Sequence, residues 1–219
     1  MDAGRSPPDW FPDWSGECVA IVAAGPSVKQ DEVNKLRDRI HVIAINESYK
    51  LCRWADALYS CDKMWWDLNK GAKDFSGLKI TQCDQAVKVY PDIKKINIRR
   101  TQNNVVHEFL MDKAGEVGGG GNGGYQMLNL AVQFGATAVA LLGFDCCSPD
   151  IQKPHWHGRH PSPLNNPIQT NFVTWRTHLD NAAAKLAQLN VDVVNCSPIS
   201  TVSKYPRLTV DDALKRWTL

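Results

Sequence analysis

No stretch of the 219-residue chain approaches the roughly 18 consecutive apolar residues that a membrane helix needs, so no membrane segment is expected. The opening MDAGRSPPDWFPDW has no apolar core of the kind a secretory leader carries. It reads instead as an extended, Pro- and Trp-rich arm over residues 1–16 that packs on the domain. Charge of one sign is also missing: Lys and Arg number 25 and Asp and Glu 23, a formal net charge of +2. Nucleic acid is therefore not implied as a partner. The seven cysteines form no CxxC pair and are odd in number, which argues against a disulfide framework. Buried, reduced thiols and a cytoplasmic location are the expectation. The AGPSV turn after the first apolar run is neither GxGxxG nor GxxxxGK[ST], and the absent Walker lysine argues against an ATPase of the P-loop kind.

What is present is an alternation of short apolar runs and helical patterns, within an ordinary 43% hydrophobic and 22% charged composition. ECVAIVAAGPS (17–27), HVIAIN (41–46), ADALYSCD (55–62), LKITQC (78–83) and KINIRR (95–100) read as strands. A helical pattern through Val28, Val33 and Leu36 follows the first of them. AVALLGFD (138–145), the most hydrophobic, is expected to be a central strand, and VDVVNCS (191–197) the last. FVTWRTHLDNAAAKLAQLN (172–190) spaces its apolar residues as a helix, and TVDDALKRW (209–217) closes the chain with Thr209 as N-cap. Continuous apolar strands separated by helices predict a Rossmann-like α/β fold. In it a mostly parallel sheet carries helices on both faces. Residues 17–219 form this single domain, and residues 148–169 a lid-like, His-rich loop.

Glycine occupies six of the seven positions 118–124, broken only by Asn122, and the run leads into the apolar helical pattern GGYQMLNLAVQFGA. Glycine costs backbone entropy on folding. The run is thus either a slack loop or a place where something approaches the backbone at a helix start. Successive backbone N–H groups there can form an anion-binding concavity, with Asn122 as the polar side chain that reads the ligand. In open α/β sheets ligands sit beyond the carboxyl ends of the strands. AAGPS (23–27), INES (45–48), SCDK (60–63), GFDCC (143–147) and NCSPIS (195–200) all fall on that side. Gly25 allows a sharp strand-to-helix turn, Pro26 suits a first helical position and Ser27 offers a hydroxyl beside free backbone donors. Asp62 and Asp145 each end a strand, where they can orient a ribose hydroxyl or a histidine, or cap the next turn. Trp65 and Trp66 read better as core than as a base-stacking pair. Lys94, Lys95, Arg99 and Arg100 read as a solvated face.

The densest titratable cluster is KPHWHGRHPSPLNN (153–166), with His155, His157, Arg159 and His160. Its HxHxxH spacing could hold zinc with Cys146 or Cys147, or supply a general base, or belong to a solvated loop. The favoured reading is a catalytic or substrate-contacting histidine, with no metal ligand assigned. An intervening loop this long in a compact domain is often functional.

The order of these motifs resembles the Rossmann-like bacterial sialyltransferases and the wider group of hydroxymethylpterin pyrophosphokinase-like proteins, relatives of which occur among phage genes. GPS ends the first strand, Asn the second and S-x-D the third. A Gly-rich helix start, GFD, a histidine-bearing loop and V-N-C-S-P follow, over roughly residues 17 to 203. The resemblance implies a nucleotide-sugar donor, linked to cytidine monophosphate, bound between the GPS loop and the Gly-rich helix start. Gly25, Pro26, Ser27, Asn46, Asn122, Gly123 and Gly124 would match its contacts. A histidine of 155–160 would match the base that deprotonates an acceptor hydroxyl. It implies no required metal, in keeping with the absence of a DxD motif. The chain departs from the family in Ala24, where Asn usually precedes GPS, and in CCSPDIQK, which lacks the tyrosines that bond the leaving phosphate. Backbone N–H groups, Arg159 or a histidine would take over that role.

Three readings follow. The first is a glycosyltransferase-like enzyme moving a sugar from a nucleotide donor to a saccharide or other hydroxyl acceptor by direct displacement. The second is pyrophosphoryl or nucleotidyl transfer with Mg²⁺ at Asp62 or Asp145. The third is a non-catalytic nucleotide- or partner-binding module. A homo-oligomer is left open.

Overall fold

A computed structural model describes residues 6–150 and 152–218; residues 1–5 of the arm, Ile151 of the loop and Leu219 lie outside the described residues. Seven short strands form the main sheet. They are β1 (Cys18–Val22), β2 (His41–Ile45), β3 (Ala57–Tyr59), β4 (Leu78–Thr81), β5 (Lys94–Lys95), β8 (Ala138–Leu142) and β9 (Asp192–Asn195). Their order is β5-β4-β3-β2-β1-β8-β9, and every pair is parallel. β6 (Asn97–Ile98) and β7 (Glu116–Val117) form a separate parallel pair. The helices are α1 (Gln30–Asn34), α2 (Lys63–Leu68), α3 (Asp84–Val89), α4 (Gly123–Gln133), α5 (Gln169–Gln188) and α6 (Val210–Arg216). None among the described residues is long and apolar enough to cross a membrane.

Successive side chains of a strand point to opposite faces, and β1 shows why its run is continuously apolar. Val19 and Ile21 join one core with α4 and α5. Ala20 and Val22 join the other, with Val33 of α1, Trp65 and Trp66 of α2, Ala86 of α3 and Leu214 of α6. Both tryptophans are core residues, at 2% and 0% exposure. The arm closes the first core: Trp14 donates its backbone N–H to Phe134 O (2.8 Å) and stacks on His41, while Phe11 meets Phe134 edge-on.

Three expectations are corrected. The middle strand is β2, while β8 lies one place in from the β9 edge. Residues 95–100 are not one strand. Ile96 N–H still bonds Thr81 O, but Asn97 N–H turns to Gly115 O, so the chain changes sheets at that point. Pro26 does not start a helix, because α1 begins only after its extended N-cap Lys29.

The strand order reverses direction about β1, whose neighbours are β2 and β8, so the loops after β1 and β8 flank the switch point. They are drawn together there. Gly25 N–H bonds Gly143 O (3.1 Å), Ser27 N–H bonds Asp145 Oδ2 (2.9 Å) and Ser27 Oγ bonds Asp145 Oδ1 (2.5 Å). A Cβ on Gly25 would lie 2.3 Å from Asp145 Oδ2 and 2.4 Å from Gly143 O. Gly25→Ala should therefore destabilise the fold by about 1–3 kcal/mol, the usual cost of overpacking. Urea unfolding measures this, and a change below about 0.5 kcal/mol, the scale of an ordinary surface substitution, would contradict it.

Candidate functional site

Beyond the carboxyl ends of β2, β3 and β4 lies a cleft of about 730 Å³, well within the range of small-molecule sites. Asn46, Asp62 and Gln82 supply its floor, one to three residues past each strand. Asn46 adopts φ +50°, a left-handed conformation that Asn tolerates better than most residues. Asp62 is the N-cap residue of α2 but makes no side-chain cap hydrogen bond, so its carboxylate is not spent on the helix. Lys63, Arg100 and His107 bring basic groups to the rim. The Cys61 thiol also lines it, and burial pushes its pKa up to about 12, which keeps it from acting as a thiolate near neutral pH.

The glycine run forms the wall between cleft and core, but its glycines serve different ends. A Cβ on Gly118 would meet Glu108 O at 2.0 Å, one on Gly119 would meet Val105 Cγ1 at 2.3 Å, and one on Gly124 would meet the Phe144 ring at 2.7 Å. Those positions yield to the protein's own packing. Gly121, Asn122 and Gly123 remain partly open and line the cleft. Gln126 holds the run in place, accepting from Tyr59 Oη (2.5 Å) and donating to Gly119 O (2.9 Å). Asn122 is occupied as the helix cap. Its Oδ1 accepts from Tyr125 N–H (2.9 Å) and its Nδ2 donates to Gly120 O (3.3 Å). Its contribution to the cleft is thus the presentation of α4's first N–H groups, which have no partner inside the helix.

The lid crosses above. Trp156 fastens it: its backbone N–H bonds Ala24 O (3.1 Å) and its Nε1 bonds Ser48 Oγ (3.1 Å), which in turn donates to Ala23 O (2.9 Å). His155 and His160 line the cleft, while His157, Arg159 and the other side of His160 line a groove of about 450 Å³ behind it, next to Glu47 and Lys50. Burial, then the neighbouring imidazoles His160 and His157, pulls the His155 pKa down to about 3. Burial and His160 take His157 to about 4, and burial lowers His160. All three rings are accordingly neutral at pH 7.

Of the residues singled out in the sequence, the cleft brings together Asn46, Asp62, Asn122, Gly123, His155 and His160. Gly25, Pro26, Ser27, Gly124, Asp145, His157 and Arg159 lie off it. Asp145 is 1% exposed and tied to Ser27. It therefore shares no site with Asp62, and the only group of three or more candidate metal-ligating side chains among the described residues is histidine. Cys146 and Cys147 are outside that group, and Cys147 Sγ faces Ile199 O instead (3.1 Å). Arg100, His107 and Gln126 carried no motif. Arg100 sat in a run of basic residues that reads as solvated, although Arg99 beside it is paired to Asp112 and Glu116 (both 2.8 Å).

A seven-stranded parallel sheet with helices on both faces and a cleft at its carboxyl edge defines a Rossmann-like α/β domain. The fold matches that of the sialyltransferase CstII from Campylobacter jejuni, solved in complex with a substrate analogue, cytidine-5'-monophosphate. The TM-score is 0.53, over 89% of this chain and 86% of that chain, at 12% identity. The likeness is therefore one of fold. No family profile matches the chain, and no curated protein matches it by sequence.

Asp145 generates a pH dependence. Burial raises its pKa above 3.8, and the two Ser27 hydrogen bonds and the Arg207 charge offset that only in part. The native state thus holds the proton more tightly than the unfolded chain. The associated stability is present below the unfolded value and lost as pH rises through the native one. Relative to Asp145→Asn, the wild type should lose stability as pH rises from about 4 toward neutrality. Denaturant midpoints across that range check the sign, and a rising difference would contradict it.

Proposed function

We propose that the chain is a transferase acting on a nucleotide-activated donor, a glycosyltransferase that moves a sugar to an acceptor hydroxyl by direct displacement. The observation that carries this reading is the 730 Å³ cleft at the carboxyl edge of the sheet, walled by the N-terminus of α4 and covered by the histidine lid. A helix N-terminus favours negative charge, so the donor's phosphate belongs against Gly121 to Gly123, with Arg100 and Lys63 in reach of the rim. Asp62 and Asn46 are placed for the hydroxyls of a ribose or sugar. The solved neighbour's cytidine-5'-monophosphate supports a cytidine-linked donor. His155 and His160, the lid imidazoles that line the cleft, are the groups placed to take the acceptor's proton. Arg159 stands behind the lid, where it can add positive charge for the departing phosphate. Ser27 with Gly25 and Pro26 acts on this site from beneath, by fixing the turn on which the lid rests. All seven cysteines are free thiols, which suits a reducing, cytoplasmic setting.

Phosphoryl transfer with Mg²⁺ has less to stand on, since Asp145 is buried against Ser27 away from the cleft and only Asp62 of the two lines it. A thermal-shift series with cytidine, uridine, guanosine and adenosine nucleotides, in the presence of EDTA, tests the donor reading. A ligand that binds the native state raises Tm by mass action. A cytidine nucleotide should do so without metal, and Arg100→Ala should weaken its binding about tenfold, the worth of one charged hydrogen bond. If no nucleotide moves Tm, the donor reading is wrong.

A further inference from the structure

The turn HWHGRH folds so that its three imidazoles converge. His155 and Gly158 form an antiparallel bridge, and Gly158 takes φ +91° to reverse the chain. Asn166 then brackets His160 from both sides, accepting from its N–H (2.7 Å) and donating to its carbonyl (3.1 Å). The ring centroids stand 5.0 Å apart for His155 and His157, 4.4 Å for His155 and His160, and 4.8 Å for His157 and His160.

The decisive atoms are His155 Nε2, His157 Nε2 and His160 Nδ1. Each is buried and has no hydrogen-bond partner. Among the described residues only one other buried side-chain nitrogen or oxygen, Ser60 Oγ, shares that condition, so the unsatisfied groups are concentrated at one point. Such groups are costly to leave unpaired, and native proteins leave few of them without a water or ion. The ligand nitrogens of the three rings lie within 4.8 Å of one another. A tetrahedral ion at metal–nitrogen distances of about 2.0–2.1 Å would need them about 3.3 Å apart, a contraction that side-chain torsions can supply.

We propose that His155, His157 and His160 form a binding site for a divalent cation of the zinc class, with its remaining coordination position open toward the cleft. The backbone of Ala24 lies beside the His155 ring, and that of His157 beside its own ring, the kind of neighbour that orients the second nitrogen of a metal-ligating histidine. The neutral state of the rings suits ligation, which needs the lone pair and not a proton. Glu47 faces His157 and His160 with a charge that favours a cation, against Lys50 toward His157 and Arg159 toward His155.

The inference concerns the lid alone and does not rest on the donor chemistry. It does bear on the acceptor side, because a lone pair given to a cation is not available to a proton. A bound cation would make the lid an electrophilic site for the acceptor's oxygen in place of a lone imidazole base.

The test uses the full chain, stripped with a chelator and then titrated with Zn²⁺ and with Co²⁺ as a spectroscopic substitute. One equivalent should bind, Zn²⁺ should raise Tm, and Co²⁺ should give the intense visible bands of a four-coordinate site. His157→Gln, which leaves the main cleft's lining intact, should weaken binding by at least about 100-fold, since loss of even an outer hydrogen-bond partner costs roughly 10- to 100-fold. His41→Gln, at the opposite end of the sheet, should leave it unchanged. If His157→Gln does not fold, the wild-type Co²⁺ spectrum decides alone. A wild type that binds neither ion, a Co²⁺ spectrum with only weak six-coordinate bands, or equal binding by folded His157→Gln would each overturn the proposal. The nucleotide series in EDTA is unaffected by these outcomes, so the two readings stand or fall separately.

Discussion

The contact on which the rest of the molecule depends is the closure between the loops after β1 and β8. A parallel sheet whose strand order reverses ordinarily leaves a crevice there for a ligand. In this protein the crevice is filled from within, by the Asp145 carboxylate bonded to Ser27 and by the backbone pairing of Gly25 with Gly143. The open volume is displaced sideways, over the ends of β2, β3 and β4. The same closure gives the lid its seat, since Trp156 bonds to Ala24 and, through Ser48, reaches Ala23. One buried carboxylate thus fixes both where the cleft lies and what covers it.

The fold was legible because parallel strands buried on both faces write themselves as continuous apolar runs. ECVAIV and AVALLG could hardly be anything else, and Gly135, at φ +104° after α4, and Thr209, capping α6 through Asp212 N–H, mark helix ends in the expected way. What failed were inferences that depend on partners far along the chain. Nothing local to KINIRR shows that Asn97 leaves β4 for Gly115. Nor does position along the chain reveal that β8, for all its hydrophobicity, is covered on its outer side only by β9.

The site was legible in part for the same reason. The glycine run announced close approach at a helix start, but what approaches at Gly118, Gly119 and Gly124 is Glu108, Val105 and Phe144. Only Gly121 and Gly123 keep an open side. Asn122 looked like a reader of ligand and proves to be a cap, because a short polar side chain before a helix serves its own backbone first. The histidine spacing was visible. Its convergence was not, since that requires the reversal at Gly158 and the Asn166 bracket. Arg100, His107 and Gln126 had no pattern to betray them, as each enters the cleft through tertiary packing alone.

The described part of the N-terminal arm, residues 6–16, lines no part of the cleft, yet it grips the far end of the element that forms one wall. Trp14 and Gly16 bond the carbonyls of Phe134 and Gly135, just past the last residue of α4. An eleven-residue helix is a stiff rod about 16 Å long, and α4 is buried along nearly its whole length. The arm therefore acts as a remote fulcrum. A small tilt permitted at Phe134 arrives at Gly123 as a displacement of the very N–H groups that face the cleft, so residues that look like packing at one end of the molecule set the alignment at the other.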